Sequence, residues 1–160
     1  MPRTKRFIMD SCAYHIVMRG SQRQNVFLDN EDFDKFYHLL WKYKNRFAAK
    51  VYAYCFMSNH VHLLIDLGED HMLLSKLMHG LAMSYALHFK FKYGKCGHLW
   101  QNRYKNFAVQ KDEYLVNVIS YIEYNPVRAN ICSRAELYPW SSYRARTLGE
   151  NDKLLDKFMP

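Results

Sequence analysis

Residues 48–56 and 60–67 form two β-branched and aromatic runs separated only by Met57-Ser58-Asn59. A gap of that length and composition suits a hairpin, so the two runs are expected to pair antiparallel. Successive strand side chains point to opposite faces, so His60 and His62 share one face of the second run while Val61 points into a core. The hairpin restricts the chain to architectures built on an antiparallel sheet, and it sets two imidazoles side by side on that sheet.

The flanking segments supply the rest. Tyr14-His15-Ile16-Val17-Met18-Arg19 reads as a first strand with polar residues on one face, ended by Gly20-Ser21. Asn30 is placed to cap a helix over residues 31–45, with Phe33, Phe36, Tyr37, Leu40 and Trp41 at helical spacing. Residues 73–93 read as a long helix stopped by the glycines at 94 and 97. Residues 99–109 read as a fourth strand. A last helix from Asp112 to about Tyr124 is expected to stop at Asn125-Pro126, because a residue before proline is biased away from helical geometry. The order β-α-β-β-α-β-α predicts an α+β, ferredoxin-like or RRM-like sandwich. In that reading the antiparallel sheet has helices packed on one face and leaves the other face open for a ligand.

A chain of 160 residues with 49% apolar content fills one core, and residues 1–148 are read as a single domain. Beyond Val127 the segment containing Tyr138-Pro139-Trp140-Ser141-Ser142-Tyr143 is expected to lie over the body, and residues 149–160 to form a flexible tail. Cys12, Cys55, Cys96 and Cys132 are far apart and contain no CxxC pair, which argues against a zinc site or a disulfide framework. The basic stretch Met1 to Arg6 is not followed by an apolar stretch of signal type, and no run reaches membrane-spanning length. A cytoplasmic protein with no membrane partner is expected.

The formal net charge of +8 favours polyanionic partners. No acidic residue falls between His71 and Lys111, whereas Lys76, Lys90, Lys92, Lys95, Arg103, Lys105 and Lys111 all do, a pattern expected of a phosphate-facing surface. A solvated helix face would usually scatter both signs. Tyr85, Tyr93, Trp100 and Tyr104 in or near this stretch are candidate stacking surfaces for unpaired bases, or simply core.

A bare H-x-H pattern is more often a pair of surface residues than a metal site. If His60 and His62 do converge on an ion, neutral imidazoles suit Mn²⁺ better than Mg²⁺, and a third ligand bearing oxygen is expected. The last helix offers one. At about 100° per residue, Leu115, Val118, Ile119 and Ile122 form its buried stripe, Tyr114, Tyr121 and Asn125 cluster on its flank, and Tyr124 falls on nearly the opposite side. Asn125 can then supply the amide oxygen and Tyr121 a nucleophilic hydroxyl. Geometry separates Tyr121 only slightly from Tyr114, and most of the 13 tyrosines must serve packing or hydrogen bonding.

Two segments carry a resemblance: Tyr52-Ala53-Tyr54-Cys55-Phe56-Met57-Ser58-Asn59-His60-Val61-His62-Leu63-Leu64 and Tyr121-Ile122-Glu123-Tyr124-Asn125-Pro126-Val127-Arg128-Ala129. With Tyr14 to Gly20, Gly97-His98-Leu99-Trp100-Gln101-Asn102-Arg103-Tyr104 and Tyr138 to Tyr143, they make the chain resemble the single-tyrosine HUH transposases, in particular the REP-associated tyrosine transposases. The resemblance implies a divalent metal, Mg²⁺ or Mn²⁺, on His60, His62 and Asn125, with Tyr121 attacking a DNA phosphodiester. It also implies single-stranded or hairpin DNA as partner, and a monomer rather than a homodimer. Arg19, Lys90, Lys92, Arg103, Lys105 and Arg128 are the expected DNA contacts. The chain departs from the family pattern at Ser58, where proline is frequent, and at Trp100 and Asn102, where Phe and Gly are expected. The rival reading is a non-catalytic nucleic-acid-binding module of RRM-like fold, in which both histidines are surface residues.

Overall fold

The computed structural model describes residues 12–68, 70 and 72–158. The basic stretch Met1 to Arg6 and the His71 boundary of the acid-free segment lie outside them. Strand β1 (Cys12–Arg19) alternates as expected, sending Tyr14, Ile16 and Met18 into one core and Ala13 into another on the opposite face. Strands β2 (Lys50–Phe56) and β3 (His60–Asp66) form the hairpin, with Phe56 facing Val61 and Tyr54 facing Leu63. Strand β4 (Lys105–Gln110) adds to β1 on the far side. Among the described residues the sheet runs β2-β3-β1-β4, every neighbour antiparallel. That is the ferredoxin-like order.

Two long helices, α1 (Asn30–Arg46) and α2 (Leu73–Tyr93), cover one face, packing Phe36, Leu40, Leu77, Leu81 and Tyr85 against Ile16, Phe56 and Leu63. They approach closely because Gly80 lies under Tyr43; a Cβ there would fall 2.4 Å from the ring. The α1 cap is Asp29, not Asn30: its extended backbone lets the carboxylate accept the Asp32 N–H at 3.0 Å.

Helix α3 (Glu113–Glu123) lies on the other face. Leu115, Val118, Ile119 and Ile122 pack there with Ala53, Cys55, Leu64 and Val109. The expectation that all helices share one face thus holds for α1 and α2 only. The reason is legible in β2 and β3, which are buried almost throughout, so both faces of that hairpin need cover. Among the described residues this face stays open around Arg19, Lys105 and Phe107, beside the histidines.

Three details differ from expectation. The fourth strand begins at Lys105 rather than 99, because Asn102 adopts a left-handed conformation (φ 42°) and turns the chain after an isolated bridge between Trp100 and Gly20. The last expected helix ends where expected, with Tyr124 as its C-cap, but the chain then enters a further short helix, α4 (Asn125–Arg128), where proline stands in a first turn that needs no N–H from it. The C-terminal segment holds a short helix, α5 (Tyr143–Leu148), and residues 152–158 are packed rather than frayed. Asp156 exchanges two 2.8 Å bonds with the Val51 backbone, Leu154 is fully buried, and Lys44 bonds the Leu154 carbonyl and pairs with Asp156 at 2.7 Å. The outer edge of β2 and the tail satisfy each other's backbone groups.

Among the described residues no helix is long and apolar enough to cross a membrane.

Candidate active site

The register of β1 on β3 places Arg19 opposite His60 and Val17 opposite His62. His15, His60 and His62 therefore rise from one sheet face, the face on which α3 lies. The His60 and His62 rings are 5.0 Å apart, and those of His15 and His62 are 5.2 Å apart and stacked. His62 is only 6% exposed. Its Nδ1 lies 2.9 Å from Nε2 of His15 and its Nε2 lies 2.8 Å from Nδ2 of Asn125. Nδ1 of His60 lies 2.6 Å from Oδ1 of Asn59.

Burial pushes all three imidazoles down, His15 and His60 to about 4 and His62 to about 3, with the Arg19 charge adding to the effect on His60 and the neighbouring His15 adding to it on His62. They are neutral at ordinary pH, which is the state that offers lone pairs. Among the described residues no three His, Cys, Asp or Glu side chains gather to hold a metal; beside His62 the nearest further polar group is the Asn125 amide, 2.8 Å away.

Helix α3 sets Tyr121 at the rim of this face. Its ring is half exposed and stands 6.1 Å from that of His62 and 6.0 Å from that of His15, edge-on to both. The guanidinium of Arg128 lies over the Tyr121 ring, 4.0 Å from its centroid, and donates to the Tyr121 carbonyl. The end of α3 is pinned by Glu123, which is buried and accepts bonds from Ser142 Oγ (2.7 Å) and Arg146 Nε (2.8 Å). Tyr124 turns away and meets the Tyr143 ring at 5.5 Å. Tyr114 is 59% exposed and contributes none of these ring contacts with the histidines.

The profile of the family described as "Transposase IS200 like" matches residues 8–125, a span that takes in His60, His62 and Tyr121 and closes on Asn125. The chain belongs to the IS200-like transposases. A protein of Haemophilus influenzae named as a REP-associated tyrosine transposase is 27% identical over 101 residues, an overlap that spans 57% of each chain. Among solved structures, the fold matches a REP-associated tyrosine transposase bound to a REP hairpin with a TM-score of 0.75 at 17% identity, covering 98% of this chain and 92% of that one. It also matches a transposase of Deinococcus radiodurans, with a TM-score of 0.52 at 20% identity over 77% and 96% of the two chains.

In this member of the family the candidate site is bordered by cations of unequal availability. Arg19 and Lys105 are exposed; Lys105 pairs with Val17 across β1 and β4, so both rise beside the histidines. Arg103 is exposed next to the Asn102 turn. Lys90 lies elsewhere, lining with Lys95, His98 and Gln24 a cavity of about 190 Å³ at the end of α2. Lys92 is not a free phosphate contact. It pairs with Asp29 at 2.8 Å, Asp32 at 3.2 Å and Glu31 at 3.3 Å, because the acid-free stretch folds against the acidic start of α1. Lys111 is likewise paired, with Asp66 at 2.6 Å. His15 and Asn59 went unnoticed in the sequence as site residues; the alternation of β1 shows that His15 and Arg19 share a face, but only the register shows that the face belongs to His62.

Proposed function

We propose that this chain is a metal-dependent single-stranded DNA endonuclease and strand transferase that works at hairpin DNA of the REP type through a 5′-phosphotyrosine intermediate. The observation that carries this reading is the meeting of His62 on β3 with Tyr121 on α3 and Asn125 at the start of α4. The name of the Haemophilus influenzae relative and the hairpin bound to the structural neighbour support the DNA target, as does the charge of +8.

The donor set fits a divalent cation. Neutral His60 and His62 with the Asn125 amide oxygen, once that amide turns its oxygen inward, make a mixed nitrogen and oxygen site that suits Mn²⁺ better than Mg²⁺. Bound there, the cation would offset charge building on the oxygens of the scissile phosphate. Tyr121 Oη attacks phosphorus, the bond from phosphorus to the 3′ oxygen breaks, and the tyrosine gives up its proton as the leaving oxygen takes one up. The ester bond is conserved in the phosphotyrosine, so the 3′-hydroxyl of another strand reverses the step without ATP. Arg128 holds the phenol ring against the site, and Arg19 and Lys105 flank the strand's phosphates. We read the protein as a monomer acting in the cytoplasm, and light scattering after gel filtration tests the first point.

The deciding experiment incubates the protein and Tyr121→Phe with single-stranded hairpin oligonucleotides and Mn²⁺ or Mg²⁺, then looks for a denaturation-resistant protein–DNA band. A band that needs both metal and Tyr121 supports the reading. A band lost only in Tyr114→Phe or Tyr124→Phe moves the nucleophile. No band with any hairpin, despite salt-sensitive binding, favours the RRM-like binding module.

A further inference from the structure

A neutral imidazole has one N–H and one lone pair, and a metal can take only the lone pair. Which nitrogen of His60 and His62 is left free therefore decides whether the pair can act together. Oδ1 of Asn59 has no proton to give, so the 2.6 Å contact requires the hydrogen of His60 to sit on Nδ1. Nδ2 of Asn125 is a donor, so the 2.8 Å contact makes Nε2 of His62 the acceptor and puts that ring's hydrogen on Nδ1 as well. This Nδ1–H then points at Nε2 of His15, 2.9 Å away, which must accept.

Resting on the metal site proposed above, we infer that His15 and Asn59 are positioning residues: they fix the tautomer and orientation of His62 and His60 so that both present Nε2 to the ion. His15 is not itself a ligand in this arrangement, because its Nε2 lone pair is taken by His62. The reach of the device is set by the sheet. His15 lies on β1 and His62 on β3, and the register that brings Val17 opposite His62 also brings the His15 ring to stack on it at 5.2 Å. Asn59 is held in turn, since its carbonyl accepts the Gly20 N–H at 2.8 Å. Partners of this kind characteristically shift metal affinity by about 10- to 100-fold.

The test has two readouts, neither of them cleavage. In metal-free, ¹⁵N-labelled wild-type protein, long-range ¹H–¹⁵N NMR should show both His60 and His62 as Nδ1–H tautomers. An Nε2–H tautomer at His62 overturns the role of His15, and the same at His60 overturns that of Asn59. Mn²⁺ titration followed by electron paramagnetic resonance should then show affinity about 10- to 100-fold weaker in His15→Ala. His15→Gln, whose side-chain oxygen can accept the same hydrogen, should recover most of the loss. His15→Ala binding Mn²⁺ within about twofold of wild type overturns the proposal, as does equal loss in Ala and Gln variants that unfold at the wild-type urea midpoint. Wild-type protein that takes up no Mn²⁺ removes the metal site itself and with it any purpose for the two partners, an outcome distinct from a normal site indifferent to His15.

Discussion

Arg128 lies over Tyr121, the guanidinium carbon 4.0 Å from the ring centroid, while the same side chain donates to the Tyr121 carbonyl. One residue thus holds both the ring and the backbone of the proposed nucleophile. At an exposed position such a contact is worth about 0.5–1 kcal/mol in itself, but misplacing a nucleophile costs more in rate than in stability. Arg128→Ala should slow single-turnover cleavage of a hairpin oligonucleotide by about tenfold or more and shift unfolding by less than about 1 kcal/mol. Arg128→Lys keeps the charge but not the planar guanidinium and should recover little. A normal rate in Arg128→Ala would show that the ring needs no such support.

Lys92 and Arg103 both lie in the acid-free stretch, yet the fold gives them opposite tasks. Arg103→Ala should weaken DNA binding and lower the slope of log affinity against log salt by about 1. Lys92→Ala should leave that slope unchanged and reduce stability instead. Its partner Asp32 is fully buried and accepts bonds from Leu28 N–H, Tyr93, His88 and Lys92. Burial raises its pKa, but the bonds from Tyr93, Leu28, His88 and Lys92 outweigh this and hold the carboxyl down to about 2. Its stabilising contribution is therefore complete above about pH 4 and is lost as pH falls toward 2. Asp32→Ala should cost about 3 kcal/mol at neutral pH in urea unfolding, and the variant should lose less further stability than wild type on going from pH 4 to pH 2.

The histidines give a second pH signature in the window just above this one. Half-buried His15 and His60 and buried His62 hold off protonation to about 4, 4 and 3, whereas in the unfolded chain they charge near 6.5. Below 6.5 the unfolded state gains protons that the folded site refuses, so stability is full above that pH and falls as pH drops through 5 toward 4. With chelator present, the urea midpoint should decline steadily from pH 7 to pH 4.5, and His62→Asn should flatten the decline. A midpoint flat through this window in wild type would mean that the imidazoles are far more accessible than their burial implies.

Phe107 is 53% exposed on the histidine face of β4, with its ring 6.0 Å from that of His15. It is better placed to stack an unpaired base beside the cleavage point than Tyr85, which is fully buried with its hydroxyl bonded to the Val26 carbonyl. Phe107→Ala should weaken single-stranded DNA binding by about 1–3 kcal/mol and leave fully duplex binding nearly unchanged, as fluorescence anisotropy would measure. Equal loss on both substrates would point to a packing defect.

What could be read from the chain beforehand was local or periodic. The hairpin, the long helices and the face shared by His60 and His62 follow from alternation and helical spacing, which residues report about themselves. The flank carrying Tyr121 and Asn125 was legible in the same way, as a helical angle. His15, Lys92 and the tail were not, since each depends on what a distant segment brings to it: the register of β1 on β3, the acidic start of α1, the open edge of β2. Residues 149–160 look like a polar end in sequence because their anchors, Leu154, Asp152 and Asp156, acquire meaning only beside Tyr37, Lys44 and Val51. The left-handed turn at Asn102 leaves no mark in the alternation of residues 99–109, because a single residue of positive φ interrupts the strand without changing its composition.

The bonding of residues 140–142 and 156 to β2 has a consequence for assembly. Phe56 N–H is taken by the Trp140 carbonyl, the Tyr54 carbonyl by Ser142 and both backbone groups of Val51 by Asp156. One margin of the sheet is thereby sealed from within the same polypeptide. Any second molecule that extended this sheet strand by strand would have to approach along β4, past Lys105 and the imidazole cluster. Continuing the sheet in that direction would bring it into the path proposed for DNA.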